Sequence, residues 1–486
     1  GRGKAAVAGV AVGRNFRTMP GFAMTNRRDI LRELRPTLAL AFPIVIGQVG
    51  QMLMGITDSV MIGRVGKVSL AASAFANGVT NLVFIVGVGL LLPVAVLSAR
   101  AHGAREPREC AEYLRHGTAL AWGLGLMVMA ALFALAPQLD HFGQPREVVT
   151  EVGPYYLLLS ASLLPAFLFQ VFKQYSEALG HPWAPMAILL GCVGVNVFLN
   201  WVLIYGHLGF PALGLTGAGW ATLTARTLAA MGVWAWLRRK EDVRREWPMH
   251  APTDTTGKTA SALRSWFGGL SRRRFAEMMH IGVPAAGQWL FEAGAFSAAA
   301  FMMGWLGTVP LAAHQIALSC AAFTFMFPLG LSSAVSVRLS KTLGEGRHAA
   351  LRPIGFGALG AGVVLMGGFG WVFAFGGEWI ARGFTPETEV VRLAARLLVV
   401  AAVFQVFDGG QVIGAGALRG LSDVKIPTAL TFVAYWIVAL PGGYLLSHHT
   451  ALGPVGVWVA LAAGLGCAAL LLVARFNRLT TLPRNV

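Results

Sequence analysis

The sequence predicts an all-α polytopic membrane protein of about twelve transmembrane helices, arranged as two six-helix bundles related by a pseudo-two-fold axis along the membrane normal. Three observations carry this. Of 486 residues, 56% are hydrophobic and only 13% charged, with a mean hydropathy of +0.63; a water-soluble surface needs roughly a quarter charged residues. Apolar stretches near the length that crosses a bilayer recur from residue 36 almost to the end. A shift of 241 residues lays the first part of the chain on the second.

In order, the spans are expected at 36–61, 69–98, 116–138, 150–177, 183–205, 216–237, 277–303, 309–337, 352–376, 390–417, 427–446 and 454–474. Residues 1–35 form a tail that lacks the apolar core and cleavage site of a secretory leader, and the stretch before Met24 reads as an extension. The first bundle covers 36–238. Residues 239–275, with Pro248, Pro252, Asp254 and Gly257 amid charge, read as a flexible tether. The second bundle covers 276–475, and 476–486 form a second tail.

The net charge of +17 invites a nucleic-acid partner, so its placement decides. With the N-terminus inside, the cytoplasmic segments hold 31 of the 39 Lys and Arg, while the outer loops hold only Arg64, Lys67, Arg146 and Arg382. This is the positive-inside asymmetry. It puts both termini in the cytoplasm, makes the bilayer rather than a nucleic acid the partner, and fits a multi-pass protein of the cell inner membrane.

Under the 241-residue shift Pro43 falls on Pro284, Gly63 on Gly304, Gly66 on Gly307, Gly89 on Gly330 and Gly103 on Gly344, without a gap. Six spans is an even number, so both halves have one orientation, and the axis relating them runs along the membrane normal.

Intramembrane acids cost several kcal/mol and are functional candidates by default. Three stand out. Glu292 lies deep in span 7, and Asp408 about nine residues, or roughly 13 Å, above the cytoplasmic end of span 10. Counted the same way Glu292 is about 22 Å up, so the two need helix tilt to meet. The alternative for each is a protonated acid serving as interhelical glue. The repeat argues otherwise, because Glu292 falls opposite Gln51, and Asp58 opposite Ala299; an acid needed only for the scaffold would recur in both halves. Asp58 lies near the outer end of span 1, where a solvated helix-end role competes. Asn196 and Asn200 stand one turn apart on span 5 and Thr222 follows on span 6, offering neutral oxygens to a cation or substrate amine, or packing contacts. No Lys or Arg is read in a comparably central position.

Pro93 and Pro328 lie inside spans 2 and 8, where a missing donor permits a bend. His314 and Gln315 read as packing or interfacial residues. Cys110, Cys192, Cys320 and Cys467 are too scattered for a disulfide framework or a zinc site. No nucleotide-binding GxxxxGK pattern, GxSxG or HExxH occurs, so neither an enzyme nor a cofactor is indicated, and transport energy has to come from an ion gradient.

At FPIVIGQVGQMLMGITDSVMIG, LAAHQIALSCAAFTFMFPLGLSSAVSVRLSKTLGEG and FQVFDGGQVIGAGALRGLSD the chain resembles the multidrug and toxic compound extrusion family, in its bacterial NorM-like branch, from about residue 36 to 475. The resemblance implies two bundles in a V around a central cavity, exporting cationic or lipophilic compounds in exchange for Na+ or H+. It gives Glu292 and Asp408 the cation-coupling positions, with Na+ as the metal they would hold, and Asp58 the acid of the first bundle. Asn196 matches the Asn of that bundle's cation site and Thr222 a neighbouring hydroxyl. Asn200 stands where some members have Asp, which removes a charge and shifts weight to Glu292 and Asp408. The chain is read as a monomer. Two competitors remain: a lipid-linked oligosaccharide flippase of the same superfamily, which calls for a more cationic cavity, and a membrane-embedded enzyme using intramembrane carboxylates, which calls for a clustered motif near one face.

Overall fold

A computed structural model describes residues 27–143, 145–240 and 270–481. The expected tether lies outside the described residues from 241 to 269, as do the tails over 1–26 and 482–486.

Each expected span is a helix. Span 1 is Arg27–Gly63; span 2 runs Lys67–Leu91 and continues as Pro93–Gly103; span 3 is Pro107–Leu135. Span 4 is Arg146–Ala161 followed by Leu163–Ala178, and spans 5 and 6 are Trp183–Tyr205 and Gly214–Arg239. In the second half spans 7 to 10 are Arg272–Trp305, Thr308–Gly344, His348–Arg382 and Thr388–Gly420. Span 11 is Lys425–Phe432, a π-helical stretch Val433–Ala439 and Leu440–His449, and span 12 is Pro454–Thr480. Helices satisfy every backbone group internally, which is why lipid admits them. Ten of these units are long and apolar enough to cross a bilayer by themselves. The two that fall short, spans 6 and 7, carry Arg226 and Glu292 at mid-helix; both were expected from their apolar stretches, and span 7 also falls on span 1 under the repeat.

Bends follow sequence only in part. Pro93 sits at the break in span 2, where the helix restarts, but Pro328 lies inside an unbroken span 8. The break at Ser162 and the π-helical stretch each lie within one turn before a proline, Pro165 and Pro441, whose missing N–H removes the bond back to residue 161 or 437.

One core is built largely from the first half, around Leu114, Tyr156, Phe167 and Val233, and a second from the second half, around Phe404, Tyr435 and Trp458. The halves meet through reciprocal contacts. A Cβ on Gly89 would lie 2.5 Å from Ala286 Cα, and one on Gly330 would lie 2.9 Å from Val45 Cα; the 241-residue shift carries the first pair onto the second. Gly103 likewise meets the Lys341 carbonyl and Gly344 the Arg100 carbonyl, again a pair and its image. Missing side chains let backbones approach where lipid supplies no hydrophobic drive.

These contacts lie toward the face where the described chain begins and ends, here the terminal face. Ionic ties join the halves there. Arg338 and Arg347 reach Glu33 at 2.7 and 2.9 Å, Arg274 reaches Glu109 at 2.7 Å, and the Tyr113 hydroxyl donates to Glu277 at 3.1 Å.

Candidate functional site

Between the halves lie two cavity lobes that share Met326 in their walls. The second-half lobe, about 300 Å³, holds both Glu292 and Asp408 among apolar side chains that include Trp289, Phe296, Phe325 and Phe404. Their different heights by residue count do not separate them, because that count takes the helix ends as level. Span 10 reaches Asp408 through a seam of small residues: Ser332 Oγ donates to the Val412 carbonyl and Ser340 Oγ to the Gly420 carbonyl, each at 2.7 Å, which clamps span 10 to span 8. Asp408 is only 3% exposed. Buried beside the pair are Gln411, one turn along from Asp408 and facing Glu292, and Tyr435 on the π-helical stretch; among the described residues neither the Gln411 amide nor the Tyr435 hydroxyl has a hydrogen-bond partner within 3.5 Å. Tyr435 stands in the field of both carboxylates. A π-helical insertion shifts a helix face relative to its neighbours and recurs at functional sites; here the Trp436 indole on the same stretch donates to the Phe291 carbonyl at 3.1 Å.

In the first-half lobe, about 590 Å³, spans 1, 5 and 6 converge on one carboxylate. Asn200 Nδ2 donates to Asp58 Oδ1 at 2.5 Å and lies 3.3 Å from Asn196 Oδ1, while Thr222 Oγ1 donates to Asp58 Oδ2 at 3.4 Å. Asn196 and Asn200 are wholly buried and Thr222 nearly so. Asp58 is therefore an integrated member of a four-residue cluster rather than a solvated helix end. Among the described residues Asn196 Nδ2 and Asn200 Oδ1 are left without partners. Asn77 Nδ2 donates to the Tyr155 hydroxyl at 3.3 Å on the same wall.

The reading of no central cation is corrected by the structure. Arg226 lines the first-half lobe, donates to Ser162 Oγ at 2.8 Å and lies over the Phe84 ring at 5.8 Å. Lys173 and Arg419 are 7% and 4% exposed. Sequence hid them for different reasons: Arg226 sits one turn past Thr222 in a weakly hydrophobic span, and Arg419, read as a loop residue, belongs to the last turn of span 10. His314 is a packing residue, wholly buried, and accepts from the Trp458 indole at 3.2 Å.

Two repeated helical bundles that shut together on one face, with carboxylates and amides on the walls of the cavity between them, define a polytopic membrane transporter rather than an enzyme. The MatE family model matches residues 43–202 and again 284–445, and the two matches begin 284 − 43 = 241 residues apart, the same shift as the internal repeat. The chain belongs to the MatE family. It is 37% identical over 457 residues to a probable multidrug resistance protein NorM of Rhodopseudomonas palustris, covering 92% of each chain. With a like-named protein of Mesorhizobium japonicum it shares 34% over 464 residues, 92% of this chain and 94% of that one. Among solved structures it is similar to the Vibrio cholerae MATE transporter VcmN in the bent form, with a TM-score of 0.82 at 18% identity over 93% of this chain and 98% of that one. It also resembles an outward-facing multidrug resistance MATE family transporter, with a TM-score of 0.82 at 20% identity over 94% and 100%. These structures establish the fold.

Proposed function

We propose that the protein is a secondary active multidrug exporter of a bacterial inner membrane, both termini cytoplasmic, that moves cationic or lipophilic small molecules outward in exchange for entering Na+ or H+ by alternating access. The observation that carries this is the meeting of Glu292 and Asp408, from distant parts of the chain, on one apolar cavity wall. Relatives named as multidrug resistance proteins over nearly their whole length support the export of drugs.

In this reading Glu292 and Asp408 are the coupling site. Two carboxylates in a low-dielectric cavity do not both ionise without a counter-cation, so the pair binds Na+ or keeps a proton. A sodium ion would take their oxygens together with the Gln411 amide and the Tyr435 hydroxyl, since hard cations choose oxygen. Asp58, Asn196, Asn200 and Thr222 form a second site for cation or substrate. Arg226 is one cation against three acids on the cavity walls, too few to favour the oligosaccharide flippase. The test is efflux of an ethidium-like dye from proteoliposomes under Na+ and pH gradients imposed separately. Dye movement equal under both gradients and under none would remove ion-coupled export.

A further inference from the structure

Beneath the two lobes, toward the terminal face, lies a small chamber of about 40 Å³. Its roof is shared: Trp289 and Leu329 also line the second-half lobe, and Gln48 also lines the first-half lobe. Its walls come from both halves, with span 4 on one side and spans 8 and 10 on the other. Three ionisable groups face it, Lys173, Glu177 and Arg419, each at most 7% exposed. Lys173 Nζ stands 3.9 Å from Glu177 Oε1, and Arg419, in the field of Glu292 in the lobe above, makes no ion pair within 4 Å among the described residues, so the side chains lining the chamber sum to one positive charge. The chamber also presents three oxygens with no partner among the described residues, Gln170 Oε1, Gln174 Oε1 and Ser336 Oγ.

The chemistry of these groups suits bridging water. Ammonium and guanidinium supply donors, the two amide oxygens need donors, and a water molecule accepts from the first and donates to the second. The volume suffices for one to a few waters. A hydrated passage would conduct cations from the lobes above if its charge were neutral or negative. A fixed positive charge in a narrow, weakly screened passage raises the energy of a cation there, the device by which an arginine excludes cations from water-conducting pores.

We propose that this chamber is a cation barrier. Lys173 and Arg419 close the floor of the cavity electrostatically while the halves are shut, so that a coupling cation held above at Glu292 and Asp408 cannot slip to the terminal face without the conformational change. Once the halves part, the chamber is split between them and the barrier is gone, which ties cation passage to the transport cycle. The proposal rests on the coupled-export reading above, in that a cation must enter the lobes.

The experiment uses the full chain in proteoliposomes without drug, with Na+-sensitive and pH-sensitive dyes trapped inside and each gradient imposed alone. Arg419→Gln and Lys173→Gln should each raise drug-independent entry of the coupling cation by roughly tenfold, whereas Arg419→Lys and Glu177→Gln should stay within about twofold of the unaltered protein. Two results overturn the barrier: unchanged leak in Lys173→Gln and Arg419→Gln at unaltered melting temperature, or leak in Glu177→Gln and Arg419→Lys equal to theirs, which would mark loosened packing instead of lost charge. Should Arg419→Gln fail to fold, Lys173→Gln decides alone. The coupling reading fails separately: pumping by Glu292→Gln and Asp408→Asn variants would discard it while a leak in Lys173→Gln keeps the barrier.

Discussion

At the scale of residues, the acids stood out because a carboxylate in mid-membrane is costly, and the asymmetry of Glu292 and Asp58 within a repeated chain argued against a scaffold role; the structure places all three on cavity walls. What surrounds them was not legible. Gln411 and Tyr435 are neutral groups in a chain with many such residues, and only packing shows them beside the acids, without partners among the described residues. Asp58 read as a near-surface residue because its distance to Asn200 and Thr222 depends on three spans converging. Asp408→Asn and Glu292→Gln keep shape and remove charge; each is expected to lower gradient-driven dye efflux at least a hundredfold with unchanged amounts of folded protein, and wild-type rates in both would move the coupling site to the first half. Asp58→Asn should cost efflux about tenfold or less, or change the order of preferred drugs, read from dose-response curves. Asn200→Ala removes the closest donor to Asp58 and leaves that carboxylate short of a hydrogen bond, at about 1–3 kcal/mol, so the melting temperature should fall; an unchanged value would mean that water replaces the amide without loss.

At the scale of elements, twelve apolar stretches and their order were readable from hydropathy and the repeat, since both follow from the thickness of lipid. Bends were readable only in part. Pro93, Pro165 and Pro441 each stand within a turn of an interruption, whereas Pro328 lies in an unbroken helix, so proline marks where a helix can break and not that it does. The glycines, by contrast, were visible as landmarks, and the structure supplies their reason, a backbone of the other half against each. Gly89→Val and Gly330→Val should therefore hold the halves apart on the terminal face. Spin labels at positions 106 and 345, in loops on that face, should report a longer mean distance in either variant and slower efflux. Equal distance distributions in variant and parent would show that the helices slide past the added side chain.

For the whole molecule, the apolar stretches and the repeat carried most of the architecture, while Arg419 escaped notice because residue counting placed it outside span 10. Drug choice belongs to this scale, since both lobes contribute walls. With three acids and one arginine around them, organic cations should be exported faster than anions of matched size, and equal rates in proteoliposomes would refute an acidic selectivity. The ties across the terminal face are all noncovalent, so residues 1–255 and 256–486 coexpressed as separate chains should associate and keep part of the efflux activity; associated halves that do not pump would give the tether an active role. The reciprocal glycine contacts carry history as well. Gly89 against Ala286 and Gly330 against Val45 form a self-complementary surface of the kind that two identical subunits share. A six-helix ancestor bearing one copy of that surface would have been complete only as a homodimer, and gene fusion then freed each half to specialise: Asp58 kept on one side, Glu292 on the other. Residues 1–255 expressed alone still own both members of the contact and are expected to pair with themselves in detergent.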